Sequence, residues 1–324
     1  MLDTWSLRVL VEVGERGSFS AAGDALVLTQ PAVSRQIASL EKQFGVPLFR
    51  RGARGVTPTT AGATAVELAR SVLARLDAME ATMTSFAGLD AGQLRLAAFA
   101  SANTSFVPDA IRRFHAAHPG VTVTLLHVDP AETLDAVKAG RVDLALLTAW
   151  QLYADPWAAR TDPDPSALPA EALEGLELRP LLDEEFQVAL PDGHPLAGRD
   201  VIALRALAAE TWIEGAYPDC LGPLPQLTEA LGAPPTIGFT CHDWNGKQAL
   251  VASGAGIMLV PSLAAPGIRP DIRLRPTDPR LPTRRLYALV PRPPFRTRPA
   301  EAMLDLLTTM LPSAPPRADE VAAS

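Results

Sequence analysis

Apolar positions recur at helical spacing twice between residues 18 and 44, with a break between the two runs. Phe19, Ala22 and Leu26 fall at i, i+3 and i+7, one face of a 3.6-residue period, and Ser18 or Ser20 can cap the helix they predict. Gly23 weakens that helix slightly. After Val27-Leu28-Thr29 a second helix starts near Gln30, because Thr29 can cap it and Pro31 falls in the first turn, where a missing N–H costs little. Its apolar residues Val33, Ile37, Leu40 and Phe44 step by four, three and four, while Gln30, Pro31, Ser34, Arg35, Ala38 and Lys42 lie mostly on the other side. Gly45 stops it. From Thr60 to Phe86 no proline occurs, and Ala69, Val72, Leu73, Leu76, Met79, Met83 and Phe86 form a broad apolar stripe among charged neighbours. A helix of that length spans about 40 Å. It must bury its stripe on something: a second copy of the chain is the economical partner, the chain's own domains the alternative, since Glu80 interrupts one line of the stripe.

Past Gly88–Gly92, which reads as a hinge, the rhythm changes to strand and helix in alternation. Strands at 94–99, 121–128 and 142–147, with helices at 107–117 and 132–139 between them, make a βαβαβ unit with a parallel sheet. A second such unit runs through strands at 186–190, 211–214, 236–240 and 257–260. Strands at 272–274 and 286–290 and a helix at 300–310 are expected to return to the first unit, with crossovers near Glu184-Glu185 and Val260-Pro261. The resulting plan is an α+β multidomain chain. Residues 1–59 are expected to form a separate helical domain and 60–88 a dimerising linker helix, with the hinge narrowed to 89–92. A first lobe follows at 93–185, a second at 186–260, a return at 261–311 and a disordered tail at 312–324. The Pro-, Asp- and Ala-rich stretch 151–174 reads as an insertion.

Helix, tight turn and helix is an arrangement that places the start of the second helix in a DNA major groove. Gln30, Ser34 and Arg35 stand there; Gln can bond adenine and Arg guanine in bidentate fashion, and small Ala32 with Pro31 lets the helix approach and touch a thymine methyl. Arg50, Arg51 and Arg54, divided by Gly52 and closed by Gly55, suit a hairpin wing that reaches phosphates or a minor groove. Net charge changes this picture little. The chain carries 29 Lys and Arg against 36 Asp and Glu, a formal −7, yet residues 30–54 hold five basic residues against Glu41 alone. The basic footprint is local, and the acidic remainder keeps the lobes off the phosphate backbone.

The wording of the segment is specific. Leu28-Thr29-Gln30-Pro31-Ala32-Val33-Ser34-Arg35-Gln36-Ile37, then Leu40-Glu41, Gly45-Val46-Pro47-Leu48-Phe49-Arg50-Arg51 and Thr57-Pro58-Thr59-Thr60-Ala61-Gly62 closely resemble the amino-terminal domain of LysR-type transcriptional regulators. The resemblance continues more loosely to about Leu311. It implies a winged helix-turn-helix, a long dimerising linker helix and a two-lobed α/β effector domain laid out like a periplasmic binding protein, usually assembled as a tetramer. It also implies that Gln30, Pro31, Ser34 and Arg35 contact bases and backbone, with Arg50, Arg51 and Arg54 in the wing. Ala21 and Gly23 stand where many relatives carry Arg or Glu, which puts phosphate contacts from that first helix in doubt.

Small ligands bind open α/β sheets beyond the carboxyl ends of the strands. That directs attention to Ser101, Ala102 and Asn103, to Asp129 and Thr148, and in the second lobe to Tyr217, His242, Asp243 and Trp244. Ser101, Asn103 and Thr148 also resemble effector-contacting positions of the LysR family, although helix capping accounts for each of them as well. Asp129 and Asp243 with Trp244 or Tyr217 favour an effector bearing an amine or a ring, and no buried Arg is assignable to a carboxylate. The expected partners are double-stranded operator DNA, a small-molecule effector and further copies of the chain.

Other chemistry finds little support. There is no Gly-x-Ser-x-Gly elbow and no Gly-Lys-Ser/Thr phosphate loop, and Gly254-Ala-Gly256 lacks the third glycine of a dinucleotide turn. His115 and His118 lie i, i+3 without a grouped Cys or carboxylate, so no metal or other cofactor is expected. Cys220 and Cys241 are too few for a disulfide framework and have no basic neighbours to lower a thiol pKa. The opening MLDTWSLRVL lacks a charged leader and no apolar run reaches about 18 residues, which points to the cytoplasm and away from a membrane. A solute-binding protein or an α/β enzyme would explain the lobes but not residues 1–88.

Overall fold

The structure is a computed structural model, and it describes residues 2–52, 55–85, 92–152, 168, 170–214 and 224–311. Three helices open the chain: α1 (Thr4–Arg16), α2 (Phe19–Leu26) and α3 (Gln30–Phe44). Each start and stop has a local cause. Asp3 caps α1 by accepting from the Ser6 N–H at 2.8 Å, and Ser18 caps α2 by accepting from the Ala21 N–H at 3.3 Å. Thr29 stands at the N-cap of α3 without a side-chain cap bond, Pro31 occupies its first turn, and Gly45 ends it in the left-handed region at φ 72°. The turn between α2 and α3 explains Gly23. A Cβ there would sit 2.7 Å from the Leu28 carbonyl oxygen, so the position needs closeness more than helix propensity.

Val33, Ile37 and Leu40 are buried with Val9, Leu10, Val13 and Ala22, which fixes the rotation of α3 about its axis. Phe44, expected on the same buried face, is instead 40% exposed and lines an apolar surface groove that the last turn of α3 shares with the start of α1. A hairpin follows, β1 (Phe49–Gly52) against β2 (Gly55–Pro58). The Glu41 carboxylate pins it to α3 by accepting from the Leu48 and Phe49 N–H groups at 2.7 and 3.1 Å. The long helix α4 runs Thr60–Ser85, with Thr59 bonding the Gly62 N–H at 3.0 Å; Phe86 and the segment up to Ala91 lie outside the described residues.

The first lobe is built on a five-stranded sheet. Its elements are β3 (Gly92–Ala97), the short helix α5 (Ala100–Asn103), α6 (Phe106–Ala117), β4 (Val121–Leu126), α7 (Thr133–Lys138), β5 (Leu144–Thr148) and β6 (Leu176–Glu184). Gly92, placed in the hinge by its composition, already pairs with Val121. The second lobe takes β7 (Phe186–Pro191), β8 (Ile202–Ala203), β9 (Thr211–Glu214), α8 (Leu224–Leu231), β10 (Thr236–Thr240), α9 (Trp244–Ala252), β11 (Met258–Pro261), β12 (Ile272–Arg275) and β13 (Thr277–Asp278). The chain then returns as β14 (Arg284–Pro291) and α10 (Arg298–Met310).

Strand order in the first sheet is β4-β3-β5-β14-β6, with β3 parallel to β4 and β5, and β14 antiparallel to β5 and β6. Val107, Ala110 and Phe114 of α6 and Met303, Leu304 and Leu307 of α10 bury one face; Ala136 and Val137 of α7 lie in the cluster on the other. Two expectations for the second lobe change. β7, β11 and β12 pair antiparallel, so parallel pairing is left to β9 with β10 and to the short β8 with β13. β12 pairs with β7 and Leu281 joins the second lobe's core, so the return crossing falls between β13 and β14 rather than at Val260-Pro261. β12 reads Ile-Arg-Leu-Arg, an alternation that marks a strand with one face inward but carries no mark of which sheet it joins.

Candidate DNA interface and effector cleft

Burial of Val33, Ile37 and Leu40 turns the rest of α3 outward. Gln30, Pro31 and Arg35 are exposed, and Ala32 and Ser34 are half-buried beside them on the first two turns. Arg50 is exposed on β1, Arg51 follows it in the same strand, and Arg54 lies outside the described residues. The hairpin is held against the helices by a Val56 N–H bond to the Gly17 carbonyl at 2.8 Å and by the edge of Phe19 against Phe49, ring centroids 6.4 Å apart. The result is a surface bearing amide, hydroxyl and guanidinium groups on helices and a hairpin that share one core.

Between the lobes lies a cavity of about 280 Å³. The first lobe contributes Ser101 and Asn103 from α5, His127 and Asp129 beyond β4, Thr133 at the start of α7, Gln151, and Arg284 at the start of β14; the second contributes His242, Trp244 and Lys247. Ser101, Asn103 and His242 thus meet at one site. Ala102, expected with them, faces the first lobe's core with no exposed surface, since one step along a helix rotates a side chain by about 100°. Thr148 is also fully buried, its N–H donating to Gln151 Oε1 at 2.8 Å, and it does not line the cavity. Tyr217 and Cys220 lie outside the described residues.

Two buried cations line the cleft, and one of them is an arginine, where the sequence alone allows no buried Arg to be assigned. Arg284 is 2% exposed; its guanidinium bonds Glu184 Oε1 through Nε at 2.7 Å and Ser101 Oγ at 3.2 Å, and it stacks over Phe99 at 5.1 Å. Lys247 is 4% exposed on α9. The signal for Lys247 was present in the sequence: Trp244, Lys247, Gln248 and Val251 fall at i, i+3, i+4 and i+7 and are all buried, so a lone lysine sits on an otherwise inward face. Asp243 caps the same helix by accepting from the Gly246 N–H at 2.6 Å. Asn103 Nδ2 donates to the Ala98 carbonyl at 3.0 Å, leaving its buried Oδ1 without a protein partner, and the buried Trp244 Nε1 likewise has none.

A helix-turn-helix with a wing, joined by a long helix to two lobes around a small polar cavity, defines a ligand-responsive DNA-binding regulator. The comparisons agree with that class. Residues 5–63 match the family described as bacterial regulatory helix-turn-helix protein, lysR family, and residues 87–312 match the LysR substrate binding domain. The chain is 30% identical over 267 residues to the probable HTH-type transcriptional regulator LrrA of Synechococcus elongatus, covering 82% of this chain and 83% of that one. It is 33% identical over 268 residues to the SDS degradation transcriptional activation protein of a Pseudomonas species, covering 81% and 79%. The fold is shared with the crystal structure of CbnR, a LysR family transcriptional regulator (TM-score 0.68, 21% identity, 96% and 100% covered). It is shared too with full-length CbnR complexed with its target DNA (TM-score 0.66, 22% identity, 95% and 99% covered). The chain belongs to the LysR family of DNA-binding transcriptional regulators and is not an enzyme. No helix among the described residues is long and apolar enough to cross a membrane.

Proposed function

We propose that this regulator acts in the cytoplasm, reads its operator through the first turns of α3, and is controlled by a small molecule held between its lobes. The observation that carries the DNA reading is the outward set Gln30, Pro31, Ala32, Ser34 and Arg35 on a helix whose opposite face is locked in the core. Gln30 and Arg35 supply bidentate base contacts, Ser34 a hydroxyl, and Pro31 with Ala32 the close approach. Arg50, Arg51 and Arg54 bind phosphates from the wing. α4 pairs two copies, giving the two-fold arrangement a two-fold operator needs, and dimers join as a tetramer. Ser101, Asn103 and His242 contact the effector directly. Ligand in the cleft changes the angle between lobes, which repositions the dimers and alters spacing and bending of the DNA.

The test is to incubate the full-length protein with fragmented genomic DNA from its own host at near-physiological salt, with and without a small-molecule extract of the same cells, and to sequence what it retains. A few sites sharing an interrupted inverted repeat are expected. Retention of nothing above background in either condition, by a folded oligomer, overturns the reading.

A further inference from the structure

The three helices that open the chain each end on a residue in the left-handed region. α1 ends on Gly17 at φ 60° and α3 on Gly45 at φ 72°, the residue type that region favours, but α2 ends on Val27 at φ 56°. The turn itself accounts for the backbone. The Leu28 N–H donates to the Gly23 carbonyl at 2.7 Å and the Val27 N–H to the Asp24 carbonyl at 3.4 Å, which winds the chain tightly from α2 into α3. It does not account for the valine, because a β-branched side chain is strained in that conformation and Gly or Asn would meet it at less cost.

Packing does not account for the valine either. Leu26 and Leu28, on either side, pack against the domain's core, while Val27 is 92% exposed, the most exposed large apolar side chain among the described residues. Nor does it join the apolar groove that continues along α4, which Leu2, Phe44 and Val46 line with Leu68 and Val72. What remains is its position. Val27 stands three residues before Gln30, so their Cα atoms lie within about 11 Å, and a major groove is about 12 Å wide. A duplex held by Gln30 and Arg35 therefore has its groove edge within reach of Val27. The apolar feature that a duplex offers there is the thymine C5-methyl, and burying it against the isopropyl group takes both out of water. Backbone strain persists at positions where binding makes use of it.

We propose that Val27 is a specificity-determining residue, its isopropyl group packed on the C5-methyl of an operator thymine at the edge of the groove that α3 enters. The proposal rests on the reading of α3 as the helix that reads the operator, and adds a contact from the turn before it.

The experiment uses the full-length protein and an operator recovered from its host's DNA, in which each thymine in turn is replaced by uracil, a change that removes the C5-methyl and nothing else. For the unchanged protein, uracil at one thymine in each half-site is expected to weaken binding about fourfold, the worth of one apolar carbon taken out of water. Val27→Asn and Val27→Ala, with thermal midpoints no lower than the parent's, should bind the thymine operator more weakly by at least that factor and be indifferent to uracil at that thymine. Val27→Ile, branched and apolar like the parent, should keep the effect. Thymines touched by Pro31 or Ala32 keep theirs in every variant. If every uracil weakens Val27→Asn and Val27→Ala as much as it weakens the parent, the contact is overturned while α3 keeps its role. A parent protein with no sequence preference at all overturns the reading of α3, and the contact with it.

Discussion

Val27 is the described non-glycine residue with positive φ, at 56°, and its side chain is 92% exposed. A β-branched residue in the left-handed region is strained, by roughly 1–2 kcal/mol for L-residues, and here no burial offsets the strain. Asn tolerates that region, so Val27→Asn is expected to raise the stability of the DNA-binding domain by about 1 kcal/mol, read as a higher thermal midpoint. A lower midpoint would show that the valine has a contact in the assembled protein that outweighs its backbone. The roles proposed for Arg35 and Arg50 separate two kinds of DNA contact. Arg35→Ala should cost about 1–3 kcal/mol on the preferred operator and relax preference at one base pair, whereas Arg50→Ala should weaken all sequences alike and reduce the salt slope by about one. Binding measured on the operator and on single-base variants over a salt series decides it; a uniform loss for Arg35→Ala would remove its base-reading role.

Where the two lobes exchange chain, Arg284 and Glu184 face each other in register at the start of β14 and the end of β6, one residue before the crossing to β7. The pair is almost wholly buried, so Glu184→Gln leaves a charge uncompensated and should cost about 3–5 kcal/mol in denaturant unfolding. Glu184→Leu with Arg284→Met should recover most of that, since matched apolar replacement of a buried pair is often neutral. Equal damage from the single and double changes would mean that the Ser101 bond and the Phe99 stacking, not the ion pair, hold the junction. A second carboxylate on β6 gives the pH dependence. Burial pushes the Glu177 carboxyl up, but hydrogen bonds from Arg296 and Arg179 outweigh this and hold it below the usual range. A depressed folded value stabilises above the unfolded pKa and is lost as pH falls through the folded one. Glu177→Gln should therefore lower stability near neutrality, where the carboxylate contributes fully, and flatten the acid limb, the difference from the parent protein vanishing as pH falls through the folded value; denaturant unfolding over a pH series checks it. At this scale the sequence was readable where a signal is local: Ser18, Pro31 and Gly45 delimit α2 and α3, and 3.6-residue or strand periodicity located β9, β10 and α10. The allegiance of β12 and the meeting of Arg284 with Ser101 across 183 positions are set by pairing far along the chain, which no local pattern encodes. Lys247 lay between these cases, visible as a cation on an apolar helical face.

The stripe on α4 divides between two duties. Val66, Ala69 and Ala74 are buried against the chain's own domains, while Leu68, Val72, Met79 and Met83 are 63%, 46%, 55% and 57% exposed. Leu68 and Val72 continue into a groove of about 720 Å³ with Phe44, Val46 and Leu2, bordered by few polar groups. So large an apolar strip on a helix 26 residues long is costly to leave in water, and a second α4 laid along it would bury it at matching spacing. Of the stripe the sequence predicts, Ala69 is thus packed at home while Val72, Met79 and Met83 stay exposed, which favours the pairing of two chains. Because a dimer holds both recognition helices at once, the second half-site is bound at high effective concentration, and breaking the seam should cost operator affinity without touching α3. Met79→Glu with Met83→Glu places four like charges across a two-fold seam and should convert dimers to monomers in sedimentation velocity. Affinity for the inverted repeat should fall at least about a hundredfold, while the isolated half-site, which needs only one recognition helix, is bound as before. Dimers that persist with full affinity would place the seam elsewhere, and loss of half-site binding as well would mean that α4 supports the DNA-binding domain itself through the residues it buries at Val66 and Ala69.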